Sequence, residues 1–287
     1  MPKRIAILFH EHYRRYRARM DYGVSYMATY WREAGHDVTL VFGVKQFIPA
    51  DLAILHVDLS VVPDEYLEFA CRYPLVLNGT VKDVRKSTFS RHLLRADDSY
   101  DGRVIVKSDL NYAGLPERLL IERRSLFRIR LENVLRSFDS VRNRDRPLRL
   151  RTSNDYRIYE SLRDVPPICF GSPGIVVEKF LPEVDRGLYC VRLYHFLGDR
   201  MTCVRIASKD PIVKLDNMVR RTVVEPHPEI VELRSALKFD YGKFDYVVRD
   251  GQAIPLDVNK TPGEGPTVNP ESEARLRYRA AGLYSFL

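Results

Sequence analysis

The sequence predicts an α/β fold followed by an α+β fold. Three observations carry that expectation. The first 78 residues alternate apolar runs with amphipathic stretches, as parallel sheets with crossover helices do. From about residue 156 onward the chain reads as strand-rich. A hydrophobic content of 45%, with 17 Tyr and 13 Phe in 287 residues, supplies a sizeable core. That length allows one large domain or two to three smaller ones.

Taken in order, "RIAILF" (4–9) is a buried strand, and a helix over about 20–34 carries Tyr22, Tyr26, Met27, Tyr30, Trp31 and Ala34 at three- and four-residue steps. Gly35 is its expected stop. Strands follow at 37–42 and 51–57, then a helix at 63–73 that opens on Pro and acids, then a strand at 74–78. A short helix is expected over 82–95 and a strand running into a loop over 101–114. Residues 118–137 form an amphipathic helix with Leu119, Leu120, Leu126, Phe127, Leu131, Val134, Leu135 and Phe138 on its apolar stripe. Residues 174–183 read as a strand, 188–208 as a hairpin turning at Gly198-Asp199, and 244–259 as a second hairpin.

Several classes are excluded or disfavoured. The N-terminal apolar run is five residues, too short for a signal-peptide core or a membrane span, and no later run approaches a span. Cys71, Cys169, Cys190 and Cys203 form no C-x-x-C pair and read as reduced thiols of a cytoplasmic protein. No G-x-G-x-x-G follows the first strand, so a nicotinamide cofactor is not indicated. The net charge is +8, and residues 118–151, with eleven Arg against four acids, hold +7 of it. That segment is either a solvated helix and loop or a docking surface for an anionic partner.

Chemistry gathers in three places. In "IPLDVNKTPG", Asp257 and Asn259 are two apart on one strand and so share a face, with Asp245 one strand away. Three hard oxygen donors on one face suit Mg²⁺. Lys107 ends the strand "RVIVK" beside the loop "SDLNYAG", where an ammonium and loop N–H groups can reach phosphate oxygens. "VVEKFLPE" stops at Glu178-Lys179-Phe180-Leu181, a linker whose backbone suits the edge of a purine, and Asp185 follows where a ribose hydroxyl could be met. A phosphate lysine, a purine-edge linker and a paired-acid metal site, in that order, describe a machine for ATP and Mg²⁺.

With that order in place, the sequence resembles the ATP-grasp superfamily over most of its length. "VIVKSDLNYAG" looks like the family's phosphate-lysine strand and flexible loop, "VVEKFLPE" like its adenine hinge, and "FDYVVRDGQAIPLDVNKTPG" like its metal hairpin. The resemblance implies a Rossmann-like pre-ATP-grasp domain over 1–80 and two ATP-grasp subdomains over 81–173 and 174–287. It implies a second phosphate lysine, Lys86, with Lys82 as its rival. It also implies that Arg192 and Arg205 meet a substrate carboxylate or the transferred phosphoryl group, as a guanidinium fork is suited to do. An outward Arg paired with a neighbouring acid is the other reading of both. Lys209, Lys214, His10 and His12 are weaker candidates.

The function so implied is Mg-ATP-dependent ligation of a small-molecule carboxylate to an amine through an acyl phosphate, with Mn²⁺ as an alternative metal and an oligomer left open. Asp257 stands where most carboxylate ligases of the superfamily carry Glu, and Asp there resembles the fold's inositol-phosphate kinases. A kinase acting on a hydroxyl of an anionic small molecule is therefore the second reading. A nucleic-acid binder using the 118–151 arginines is the third.

Overall fold

The computed structural model describes residues 1–14, 21–122, 150, 152–264 and 269–287. The chain forms two compact units, Met1–Val84 with Leu181–Leu287, and Arg85–Phe180. Among the described residues, no helix is long and apolar enough to cross a membrane.

The first unit opens with the expected parallel sheet: β1 Arg4–Phe9, β2 Asp37–Phe42, β3 Leu52–Leu55 and β4 Val76–Leu77, in the order β2-β1-β3-β4. All pairings are parallel, with Ile5 opposite both Val38 and Leu52. Ile5, Ile7 and Phe9 join one apolar cluster, and Ala6 and Leu8, which alternate with them, are equally buried. Burial on both faces is why "IAILF" reads as a continuous apolar run. The helix Gly23–Glu33 buries Val24, Met27 and Trp31 in that cluster. It ends as Gly35 predicts: with φ +88° there, the Gly35 N–H donates to the Arg32 carbonyl and the His36 N–H to Trp31. This is the Schellman arrangement, which needs a left-handed residue after the last turn.

The same unit holds the antiparallel sheet. Its strands are β8 Glu183–Asp185, β9 Leu188–Leu197, β10 Arg200–Ser208, β11 Arg220–Val223, β12 Tyr241–Arg249 and β13 Gln252–Asn259. The order is β11-β10-β9-β12-β13, with β8 also on β9. Two helices accompany it that the strand-rich reading left out, Pro228–Ala236 and Pro270–Ala280. Both carry Pro in the first turn, and His227 and Asn269 cap them through side-chain acceptors. Leu276, Ala280 and Leu283 enter the same cluster as Ile7 and Trp31, and the Trp31 indole donates to the Ala280 carbonyl at 2.9 Å. The Asn78 amide donates to the Tyr241 carbonyl at 2.7 Å. The two sheets of this unit are thus joined through shared core and side-chain-to-backbone hydrogen bonds.

The second unit is built on β6 Arg157–Tyr159, β5 Val104–Ser108 and β7 Ile175–Lys179, in the order β6-β5-β7. Val104, Val106 and Val177 pack with Leu162, Val165 and Cys169. The helix expected over 82–95 is reduced to one turn, Lys86–Phe89. The rest follows the sheet instead: Leu93 bridges Glu178, and the Leu94 N–H donates to Val177. Pairing with an open strand edge satisfies more backbone there than an unsupported helix would. The amphipathic helix expected over 118–137 is described only as Leu115–Glu122, and its remainder lies outside the described residues. Of the eleven arginines of 118–151, all but Arg118 lie outside them as well.

Candidate functional site

The C-terminal hairpin turns at Asp250-Gly251, both with positive φ, +51° and +77°. Two consecutive left-handed residues match the twist of paired strands and fix the register of a tight hairpin. That register sets Lys243 opposite Asn259 and Asp245 opposite Asp257. Directly opposed residues of an antiparallel pair share a face, so the four side chains form one block. A β-bulge follows between Asp245 and Tyr246, where Pro255 sits in β13. Proline lacks the N–H for a regular ladder, and bulges re-aim the side chains beside them. Only glycine fits at 242, because a Cβ there would lie 2.6 Å from the Asn259 carbonyl oxygen.

The Lys243 ammonium donates to Asp245 Oδ2 at 3.0 Å. Burial disfavours that charge, but Asp245, with Asp257 and Glu264, outweighs burial and raises the Lys243 pKa. Among the described residues no group of three or more His, Cys, Asp and Glu is placed to hold a metal ion. Mg²⁺ is commonly held by one or two carboxylates together with substrate phosphates and water. Asp245 and Asp257 with the Asn259 amide oxygen fit that manner of binding, and could hold Mg²⁺ or Mn²⁺.

A second cluster adjoins this block. The strand order of the parallel sheet puts its switch point between β1 and β3, and ligands bind at the carboxyl ends of strands at such points. Asp58, just past β3, accepts from Tyr22 Oη at 2.5 Å and from Tyr13 Oη at 3.2 Å, both on Oδ2. On Oδ1 it accepts from the Thr261 hydroxyl at 2.7 Å. Thr261 in turn gives its N–H to Asn259 Oδ1 at 2.7 Å. The buried Lys260 ammonium donates to the Leu59 carbonyl at 2.6 Å. His56 lies fully buried against the rings of Phe9, Tyr22 and Tyr241. Burial, with Lys260 adding, holds its pKa down at about 3, so the imidazole is neutral. His10 stacks on Tyr66 at 5.1 Å, and its ring nitrogen accepts from the His12 N–H at 3.2 Å.

Arg192 and Arg205 do not join the carboxylate block. Register sets Leu193, not Arg192, opposite Asp245, so Arg192 points to the other face of the sheet. Arg205 is opposite Arg192 and shares that other face. Arg192 grips Glu183 through Nε and Nη2 at 3.0 and 2.9 Å. Arg205 donates to Asp185 at 3.0 Å, and Arg220 donates to the same oxygen at 2.6 Å. Glu183 also accepts the Val248 N–H at 2.8 Å. Both arginines are thus paired with acids of β8, Arg192 with Glu183 and Arg205 with Asp185, which Arg220 shares. The carboxylate face carries other cations instead. Arg221 and Arg275 meet on Glu271 Oε1, and the buried Arg279 pairs with Glu264. His195, opposite Lys243, is held well below its ordinary pKa by burial first and by Arg279 and Lys243 next.

In the second unit Lys107 and Glu178 form a buried ion pair at 2.6 Å, with side chains only 6% and 4% exposed. Lys107 sits diagonally across from Glu178, whose direct partner is Ile105. Lys86 is buried too, and its ammonium donates to the Leu110 carbonyl at 3.2 Å. Its rival Lys82 belongs to the first unit and pairs at the surface with Asp64 at 2.5 Å. The loop after Lys107 is left-handed at Tyr112, Ala113 and Gly114, with φ of +48°, +51° and +69°, an uncommon conformation for the first two residues. Within the hinge the N–H groups of Lys179 and Phe180 donate to His92 and Arg103, and the Lys179 ammonium lies 5.1 Å from the Tyr100 ring centre. Leu181 opens the other unit. Lys209 is exposed and Lys214 half-buried in the loop between β10 and β11. A cavity of about 540 Å³ lies beside β4 and the helix Pro228–Ala236, lined by Thr80, Arg234, Lys238 and Asp240 among others. None of the candidate residues lines it.

Sequence reasoning missed Lys243, Asp58, Tyr13, Tyr22 and Thr261. The signal for Lys243 was present, since it stands two residues before Asp245 on the same strand face. No sequence signal links Asp58 to Thr261.

No protein-family model matches the chain, and no curated protein matches it. Solved structures do. A RimK domain ATP-grasp protein from Sphaerobacter thermophilus is 13% identical, with 99% of this chain and 98% of that one covered and a TM-score of 0.46. A D-alanine–D-alanine ligase from Bacillus anthracis is 13% identical, with 99% and 96% covered and a TM-score of 0.43. A macrocyclase from Microcystis aeruginosa, bound with its precursor peptide, is 9% identical, with 98% and 100% covered and a TM-score of 0.47. The matched structures are of the ATP-grasp superfamily.

Proposed function

We propose that the protein is an ATP-grasp enzyme that joins a carboxylate to an amine at the expense of ATP. The observation that supports this most is the block formed by Asp245, Asp257 and Asn259 beside the Asp58 cluster at the sheet switch point. A divalent cation on that block would neutralise phosphate charge. Lys107 and Lys86 are assigned to ATP phosphates, where charge neutralisation and positioning do most of the work. The Leu181 N–H is assigned to the purine edge, because those of Lys179 and Phe180 are already paired. Arg192 and Arg205 are assigned to holding β8, and with it Asp185, in place.

In the first step a carboxylate oxygen of the substrate attacks the γ-phosphorus and the bond to ADP breaks, giving an acyl phosphate. In the second the amine nitrogen attacks the acyl carbon, phosphate leaves and the amine proton passes to solvent. No protein nucleophile is required. The acceptor is proposed to lie at the Tyr13–Tyr22–Asp58 end of the 1–80 domain. The 81–173 and 174–287 segments act as the two grasp subdomains. The 118–151 arginines would serve an anionic acceptor or partner. Four free cysteines and ATP as substrate suit the cytoplasm.

The test is a screen for ADP and phosphate release against pools of amino acids, peptides and polyols. Release of ADP with an equal amount of phosphate, requiring both a carboxylate and an amine, is expected. ADP without free phosphate, with a polyol as the sole co-substrate, would replace the ligase by the kinase.

A further inference from the structure

The Thr261 hydroxyl has one proton and two acceptors within reach. Asp58 Oδ1 lies at 2.7 Å and Asn259 Oδ1 at 3.2 Å. The carboxylate is nearer and charged, and hydrogen bonds to charged acceptors are the stronger. The proton therefore goes to Asp58. This matters because an amide oxygen has two lone pairs, and one of those on Asn259 Oδ1 already accepts the Thr261 N–H at 2.7 Å. Were the hydroxyl to donate there as well, both lone pairs would be taken.

We infer that Asp58 is a positioning residue for the cation: it draws off the Thr261 proton and so keeps one lone pair of Asn259 Oδ1 open for a metal ion. The inference rests on reading the Asp245–Asp257–Asn259 block as a Mg²⁺ site. Its geometry lies within one compact unit, and both middle residues are buried, Asp58 at 9% and Thr261 at 2% exposure. Exchange with bulk water therefore does little to relieve the competition.

Asp58→Asn tests it, because the neighbours dictate how the amide sits. Tyr13 and Tyr22 both donate to Oδ2, so the amide oxygen takes that place and the NH₂ takes the place of Oδ1. The NH₂ then donates to the Thr261 hydroxyl, whose own proton turns to Asn259. Mn²⁺ is titrated calorimetrically into protein saturated with a non-hydrolysable ATP analogue. Asp58→Asn should bind Mn²⁺ about tenfold more weakly, the scale of one lost polar contact. Thr261→Val should stay within about threefold of wild type, since the hydroxyl is only a competitor. Asp58→Asn with Thr261→Val should recover to that same range.

Wild-type affinity in Asp58→Asn, or a double variant as weak as Asp58→Asn, overturns the inference. So does a tenfold loss in Thr261→Val alone, an outcome that stays decisive should the Asp58 variant not fold. Asp257→Asn separates the two levels. If it binds Mn²⁺ like wild type, the metal-site reading falls and takes this inference with it. If it binds weakly while Asp58→Asn does not, this inference alone falls.

Discussion

Asp245 stands directly opposite Asp257 across the β12–β13 pair, and Lys243, two residues before Asp245, donates to Asp245 Oδ2 at 3.0 Å. Like charges directly opposed on a sheet repel, and here a neighbouring ammonium offsets the repulsion. Two adjacent carboxylates and a half-buried lysine on one face are costly to hold together, as clustered charges at candidate functional sites are.

Gly242 holds that site by its absence of a side chain. A methyl group at this position would meet the Asn259 carbonyl oxygen at 2.6 Å, with the Phe239 ring at 3.1 Å on another side. Gly242→Ala should destabilise the protein by about 1–3 kcal/mol, the usual cost of overpacking. It should also weaken Mn²⁺ binding by displacing Asn259. Urea unfolding and metal titration of the same variant check both. A variant as stable as wild type would mean that the strands part without strain.

Removing Lys107 from its pair with Glu178 should change stability as well as the proposed ATP binding. Lys107→Ala leaves a carboxylate buried at 3% exposure without its 2.6 Å partner. Breaking a buried pair by removing one partner costs about 3–5 kcal/mol. Lys107→Met with Glu178→Leu should regain most of that stability, because apolar replacement of both partners is often neutral. ATP affinity should stay lost in both variants, by roughly ten- to a hundredfold for a charged phosphate contact. If ATP binding returns in the double variant, Lys107 serves the core and not the nucleotide.

How much of this was open to the sequence depends on range. The Asp-Gly turn and the period-two spacing made the β12–β13 block readable, because a tight hairpin fixes its own register. Arg192 and Arg205 were not readable. Their face relative to Asp245 depends on how β9 pairs with β12, two strands separated by β10 and β11 in the chain. A one-residue change in that register would move both arginines to the opposite face. The Asp58–Thr261 hydrogen bond joins residues 203 apart, beyond any local pattern. The helices Pro228–Ala236 and Pro270–Ala280 are a different case, since their Pro and capping residues were in plain view.

His56 gives a pH dependence with a definite sign. Its pKa in the fold is about 3, against roughly 6.5 in the unfolded chain. Between those values the unfolded state binds the extra proton, so stability is complete above about pH 6.5 and falls as pH drops toward 3. One such histidine should cost on the order of 2 kcal/mol between pH 7 and pH 5. His56→Phe, which suits a cage of Phe9, Tyr22 and Tyr241, should flatten that part of the profile. An unchanged difference in urea midpoints between the two pH values would assign the acid sensitivity to other groups, His195 first among them.

The face bearing Asp245, Asp257 and Asn259 is proposed to bind the metal that accompanies ATP. The most direct measurement is ATP affinity by titration, with and without Mg²⁺, in wild type and in Asp257→Asn. The substitution removes one charge and almost no volume. Weak ATP binding without metal, strong binding with Mg²⁺, and loss of most of that gain in Asp257→Asn are expected. Equal dependence on Mg²⁺ in the two proteins would contradict the proposal.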